Sequence, residues 1–473
     1  MKRLILSMAL LLSLASCDEA LDRLPNDSLT SETAYRSVAD LQLGLNGVMI
    51  SYSTLNTITV NSILTDEVKI GLDNGGQQVS LYNMILDPQE GNAAGIWNSR
   101  YVAINRANRI IAAAAGITPA ANEVNQYNNI LAQCYFIRAL SHLDLMNHYS
   151  PNTMDLTGIA VPYIDFVNTS TQLPRNTVAE VRDGILASLQ LANDFLPASS
   201  SDIYFATAKA IEFTRAKVKF LTGDYTGALV HADNLILGQN GFTATPLANA
   251  TQYANMFADT DNTEIIFKRR RTQLEGFIGG VWYFTGTGGA FLEMSNKMYN
   301  SLPGDVRDGV LFDAAGSAAQ GGPANNFHLI NKYPGSSGFL FLNDEKVMRI
   351  SEMYLIKAEC HARLSQWTDA ANAVKAVRDA RSGASTPVDV YANLQQAADA
   401  ILAERFVELA YEGHRYVDIK RLRNVVNAGI VRDPADCGGA APCELGISDA
   451  RFTLPIPQAE MDTNSNMVQN VGY

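Results

Sequence analysis

Apolar residues recur at helical spacing along most of the chain. Residues 28–52, SLTSETAYRSVADLQLGLNGVMISY, put a Ser/Thr start ahead of apolar positions three and four apart, which predicts a first helix. The same spacing predicts helices in GIWNSRYVAINRANRIIAAAA, VNQYNNILAQCYFIRALSHLDLMNHY and TVAEVRDGILASLQLANDFLP, in a pair over 206–238, and over 348–381 and 394–423. From 239 to 347 the period fails. Gly, Asn, Thr and aromatic residues take over there, as in RTQLEGFIGGVWYFTGTGGAFLEMSNKMYN. So long an irregular region within a compact domain is usually functional, and the binding surface is expected in it or beside it.

Two helical stretches resemble one another. AKVKFLTGDYTGALVHA from 216 and AECHARLSQWTDAANAV from 358 align without gaps, 142 residues apart, matching Ala216 with Ala358, Tyr225 with Trp367, Thr226 with Thr368 and Ala228 with Ala370. Helix, tight turn, aromatic and small residue is the logic of a tetratricopeptide unit, whose helices pack through alanine notches. The alternative is two unrelated hairpins of similar composition. The predicted fold class is mainly α, with helical hairpins supporting a loop-rich region.

The amino terminus departs from this pattern. Lys2 and Arg3 precede an apolar run, Leu4 to Leu14, too short to span a bilayer, which reads as a secretory signal over 1–16. Leu14-Ala15-Ser16-Cys17 then has the form of a lipobox, in which the Cys17 thiol takes a diacylglyceryl group and becomes the new terminus. Stable attachment needs two or more acyl chains of the palmitate type, each gaining about 0.8 kcal/mol per buried methylene. Residues 17–27 are expected to form a lipidated tether, and 28–473 a single domain with a helical scaffold over 28–238 and 348–430 and a loop-rich region over 239–347.

With 473 residues, 47% of them hydrophobic, the chain has material for a large core. A formal net charge of −12 argues against nucleic acid as a partner, since no basic stripe is present to neutralise phosphates. The five cysteines are too few for a disulfide scaffold. Cys134 and Cys360 lie in apolar helical patterns and read as small core residues. Cys437 and Cys443 frame DCGGAAPCE; in an oxidising compartment they are expected to form a disulfide, with Gly438 and Gly439 giving the backbone freedom to close it.

Catalytic signatures do not emerge. GxSxG, HExxH, CxxC and GxxxxGK are absent, and the six histidines show no metal-ligand spacing, so neither cofactor nor metal is expected. ILAERFVELAYEGHRYVDIKRLR carries Glu404, Glu408 and Glu412 four residues apart, a pattern compatible with glycosidase carboxylates. Arg405, Arg415, Lys420 and Arg421 are interleaved, which favours a structural ion-pair network. For ligand contact the candidates are the aromatic cluster Trp282, Tyr283 and Phe284 in VWYFTG, and Asp73 and Asn74 in IGLDNGGQQ. Rings cover the apolar face of a sugar, while the polar pair selects hydroxyls.

ERFVELAYEGHRYVDIKRL resembles the carboxy-terminal signature of the SusD/RagB family of outer-membrane lipoproteins. CDEALDRLPNDSLTSETAYRSVADLQLGLNGV, WNSRYVAINRAN, VMRISEMYLIKAECHARLSQWTDAANAVKAVRDARSG and the ending LPIPQAEMDTNSNMVQNVGY resemble other family segments in the same order. The resemblance implies a SusD-like fold with tetratricopeptide-like units, and no catalytic residues. It implies a glycan-binding protein at the cell surface, anchored to the outer membrane by lipid, that passes oligosaccharide to a SusC-like TonB-dependent transporter. Peptides or glycoprotein-derived ligands are the alternative cargo. The cysteine-framed insertion is a visible departure from the family pattern.

Overall fold

The computed structural model describes residues 34–283, 289–437 and 441–473. Signal, lipobox and the whole tether lie outside the described residues, as do Phe284, Gly438 and Gly439. The longer helices are α1 (Val38–Ser51), α2 (Leu55–Ile63), α3 (Gly91–Ala114), α4 (Val124–Tyr149), α5 (Val178–Phe195), α6 (Ala208–Leu221), α7 (Tyr225–Leu237), α8 (Ala250–Phe257), α9 (Ile350–Arg363), α10 (Trp367–Ser382), α11 (Leu394–Glu408) and α12 (Arg415–Val426). Helix α1 begins at Val38, within the stretch predicted as helical. Its cap is Ser37, whose Oγ accepts the Asp40 amide at 3.2 Å. Thr177 and Glu180 form a reciprocal capping box at α5, and Gly238 and Gly383 end α7 and α10 in the left-handed conformation that favours glycine.

Successive helices pack side by side from α3 to α7. The path then jumps from α7 to α9, runs through α10 and α11 to α12, and returns to α2. The α6–α7 and α9–α10 hairpins start at Ala208 and Tyr225 and at Ile350 and Trp367, the same spacing as the repeat seen in the sequence. Ala216, Ala228, Ala358 and Ala370 are all fully buried where these hairpins meet their neighbours, and a larger side chain there would hold the helices apart.

Everything between α7 and α9 is one excursion from this scaffold. Strand β2 (Ile265–Arg269) pairs antiparallel with β6 (Glu345–Arg349) and closes its base. Strand β1 (Val68–Ile70), just after α2, pairs antiparallel with β3 (Leu292–Met294), tying the excursion to the amino-terminal helices. The short pairs β4–β5 (Gly335–Ser336 with Phe339–Leu340) and β7–β8 (Ile430–Val431 with Glu444–Leu445) complete the strands among the described residues. Region 239–347 is thus less irregular than its composition suggested, because short strands and short helices leave no lasting period.

Candidate functional site

The site begins with a buried anchor. Asp66, at the end of the α2 turn, takes two 2.7 Å bonds from Arg415 and one of 2.6 Å from Lys297. Burial pushes its carboxyl up, but those cations outweigh burial and hold it well below the usual carboxylate range. Glu67, next to it, has no such partner. Desolvation pushes its carboxyl up to about 8, and its Oε1 accepts the Tyr411 amide at 3.2 Å. These two acids fix β1 against the end of the helical path.

Beyond β1 the chain turns over β3. The Gly71 amide donates to the Phe291 carbonyl at 2.9 Å, and a Cβ at Gly71 would stand 2.2 Å from the Ala290 oxygen, so glycine is required by the approach. Asn74 is buried; its Nδ2 donates to the Gln77 and Phe291 carbonyls at 2.7 Å each, and its Oδ1 accepts the Gly76 amide. Asp73 is exposed and lies against Gly289, where a Cβ would collide with its carboxylate. The IGLDNGGQQ turn therefore shares one face with residues 289–291, and the Phe291 amide bonds in turn to the Trp282 carbonyl.

Within that face the candidate residues differ in kind. Trp282 is 2% exposed, with its ring centroid 5.4 Å from that of Tyr411, and its carbonyl accepts the Phe291 and Leu292 amides. It is a core residue and offers no open ring to a ligand. Tyr283 is half-buried, edge-on to Phe341 at 5.2 Å. Asn74 has committed its amide to the loop. Asp73 alone of the four described candidates is exposed.

A groove of about 600 Å³ runs beside this face. Leu72, 74% exposed, and the half-buried ring of Phe327 give it apolar surface, while Asn83 and Asn325 add amides. Lys69 and Glu293 form its polar floor. Lys69 donates to the Asn326 Oδ1 at 2.7 Å, Glu293 accepts the Leu72 and His328 amides at 3.1 Å, and the two side chains lie 3.6 Å apart. Burial lowers the Lys69 pKa, with Glu293 pulling the other way. At one end Asp436 accepts from Asn296 and precedes Cys437, which is joined to Cys443.

The glutamates of the carboxy-terminal signature serve the scaffold. Helix α11 ends at Glu408, and Tyr411 and Gly413 take positive φ, so Glu412 lies beyond the helix rather than on its face. Glu408 accepts from Arg349 at 2.9 Å, Arg381 at 2.7 Å and Arg307 at 3.0 Å. Burial would raise its carboxyl, yet Arg381 and Arg349 outweigh that and hold it well below the usual range. Glu404 pairs with Arg307 and Arg378, and Glu412 with Arg349 and Lys332. The network is real, but its cations come from distant segments. The interleaved Arg405, Arg415 and Arg421 pair instead with Asp418, Asp66 and Glu359, and Lys420 donates to backbone carbonyls. No group of three metal-binding side chains occurs among the described residues.

Comparison with known proteins follows the same division. A model described as the SusD family matches residues 282–473, and one described as starch-binding and associating with the outer membrane matches residues 21–218. The chain belongs to the SusD/RagB family. SusD-like protein P2 of Formosa agariphila is 26% identical, with 98% of each chain covered, and SusD-like protein P38 of the same organism is 23% identical over 100% and 99%. A putative sugar binding protein from Bacteroides vulgatus superposes with a TM-score of 0.76 at 22% identity, covering 93% of this chain and 100% of that one. A laminarin binding SusD-like protein gives 0.66 at 20% identity, again covering 93% and 100%. These structures share the SusD/RagB fold.

In this SusD/RagB chain the sequence missed Leu72, Asn83, Asn325 and Phe327. For Leu72 a signal existed: an apolar residue between Gly71 and Asp73 in a glycine-rich turn has nothing local to pack on. Phe327 follows GGPANN, and only the tertiary fold brings it to β1.

Proposed function

We propose that this chain captures oligosaccharide in the groove beside β1 and β3 and delivers it to a SusC-like TonB-dependent transporter, held at the outer membrane by lipid on Cys17. The observation that carries the reading is a groove with apolar and amide surface beside the IGLDNGGQQ turn, in a chain whose amino-terminal half matches a family described as starch-binding and outer-membrane-associated. Leu72 and Phe327 cover the C–H faces of sugar rings, and Asn83 and Asn325 select among hydroxyls. No described helix is long and apolar enough to cross a membrane, so association is assigned to the lipid. A carrier gains from moderate affinity and rapid release rather than tight retention.

The test is binding to an array of polysaccharides and their oligosaccharides, with starch and laminarin included and peptides as the other arm. Glycan binding without release of reducing ends supports the reading. Binding to peptides alone would move the cargo to the other class.

A further inference from the structure

A second cleft, sharing no lining residue with the groove beside β1, opens between α3, the 162–173 segment and the carboxy-terminal helix Gln458–Thr463. Its volume is about 550 Å³, within the usual range for small-ligand sites. Both ends of its outer wall are tied down. Tyr101 donates to the Pro162 carbonyl at 2.8 Å, and Asn108 to those of Ile164 and Phe166 at 3.1 and 2.8 Å. At the other end Gln172 donates to the Thr463 carbonyl at 2.7 Å and accepts from Ser465, while Asn464 donates to the Leu173 carbonyl at 2.9 Å. The cleft is therefore preformed, and little ordering cost falls on a ligand.

Its chemistry is distinct. No lysine, arginine or histidine lines it, and its one carboxylate, Glu460, already accepts from Asn464 at 2.9 Å. Phosphate and carboxylate ligands lack a counter-charge here, and cations meet a single engaged acid. What the walls do present is groups that both donate and accept: the amides of Asn98 and Asn105 and the hydroxyls of Thr169 and Ser170. Asn105 is half-buried, with its Oδ1 enclosed and accepting no hydrogen bond from the described residues. Val102, 45% exposed, and the half-buried Tyr101 add apolar surface beside them.

We propose that this cleft is a second carbohydrate site, taking neutral, hydroxyl-rich sugar units. The assignment of ligand class rests on the function proposed above, while the location stands on this cleft alone. Two sites on one rigid chain raise the effective concentration of a polymer already held at either, so a glycan long enough to reach both is retained more strongly than a short one.

The experiment titrates the full chain by calorimetry with laminarin-derived and starch-derived oligosaccharides and with a neutral capped tripeptide. Asn98→Ala removes an exposed amide, Val102→Trp fills the cleft, and Phe327→Ala addresses the other groove. The expected result is two binding events in the parent, of which both cleft variants weaken one at least fivefold and Phe327→Ala the other, with unchanged melting temperatures for Asn98→Ala. Cleft variants that titrate like the parent, while Phe327→Ala abolishes all sugar binding, overturn the second site and leave the first standing. Tripeptide binding that is lost in Asn98→Ala overturns the sugar assignment of the cleft. A parent that binds no glycan overturns the ligand class of both.

Discussion

Trp282, Asp73 and Asn74 differ in what their atoms already do. Because Trp282 packs on Tyr411 in the core, Trp282→Ala is expected to cost about 3–5 kcal/mol of stability by cavity formation, with oligosaccharide affinity retained at temperatures where the variant stays folded. Thermal melts set against calorimetry check this, and a loss of affinity with no loss of stability contradicts it. The sequence identified VWYFTG as a place where rings gather, yet the burial of Trp282 against Tyr411, far away in the chain, is not visible locally. Glu67 was hidden for the opposite reason: an ordinary acid in TDE becomes unusual only when Tyr411 and the β1–β3 face exclude water from it. Its folded pKa of about 8 stands above the ordinary glutamate value of 4.5. The stability linked to its proton is thus fully present below pH 4.5, falls as pH rises through the window between those values, and is gone above about 8. Glu67→Gln removes that dependence, so above pH 5 the unfolding free energy of the parent should decline relative to the variant, by a difference reaching about a few kcal/mol and read as a falling relative melting temperature. Parallel curves from pH 5 to 8 would contradict the buried proton.

At the scale of elements, hairpins were legible and the excursion was not. The repeat between 216 and 358 carried its own register, since helix period, turn and alanine notch are all local, and the structure places both hairpins at that spacing. The strands of 239–347 are two to five residues long, too short for alternation to show, and their order is set by partners far away in the chain. The same holds for the ion network, whose glutamates were found on sight but whose arginines, Arg307, Arg349 and Arg381, come from separate segments. The Cys437–Cys443 bridge is a local element, with a sequence separation of 6. Closing so small a loop contributes about 2 kcal/mol on the chain-entropy estimate, so replacing both cysteines by serine should lower stability by that amount. An equally stable double variant, or free thiols at both positions in oxidised protein, contradicts the bridge.

On the proposed function, a lipid tether would hold the molecule, the scaffold of paired helices would position the loops, and the loop-bearing face would capture ligand. Family membership was readable because five segments occur in order along nearly the full chain, whereas the groove was not, being assembled from residues near 72, 83, 293, 327 and 436. Cys17→Ala is expected to leave a folded protein that no longer sediments with outer membranes; retention in the membrane fraction under high salt would contradict lipid anchoring. The central claim is that the groove beside β1 and β3 holds oligosaccharide through apolar ring contact and neutral hydrogen bonds. Calorimetric titration of Leu72→Ala and Phe327→Ala with an oligosaccharide bound by the parent tests it most directly. The account predicts affinity five- to a hundredfold weaker, about 1–3 kcal/mol, with unchanged melting temperature and little dependence on salt. Parental affinity in both variants, or binding that collapses as salt is raised, would contradict it.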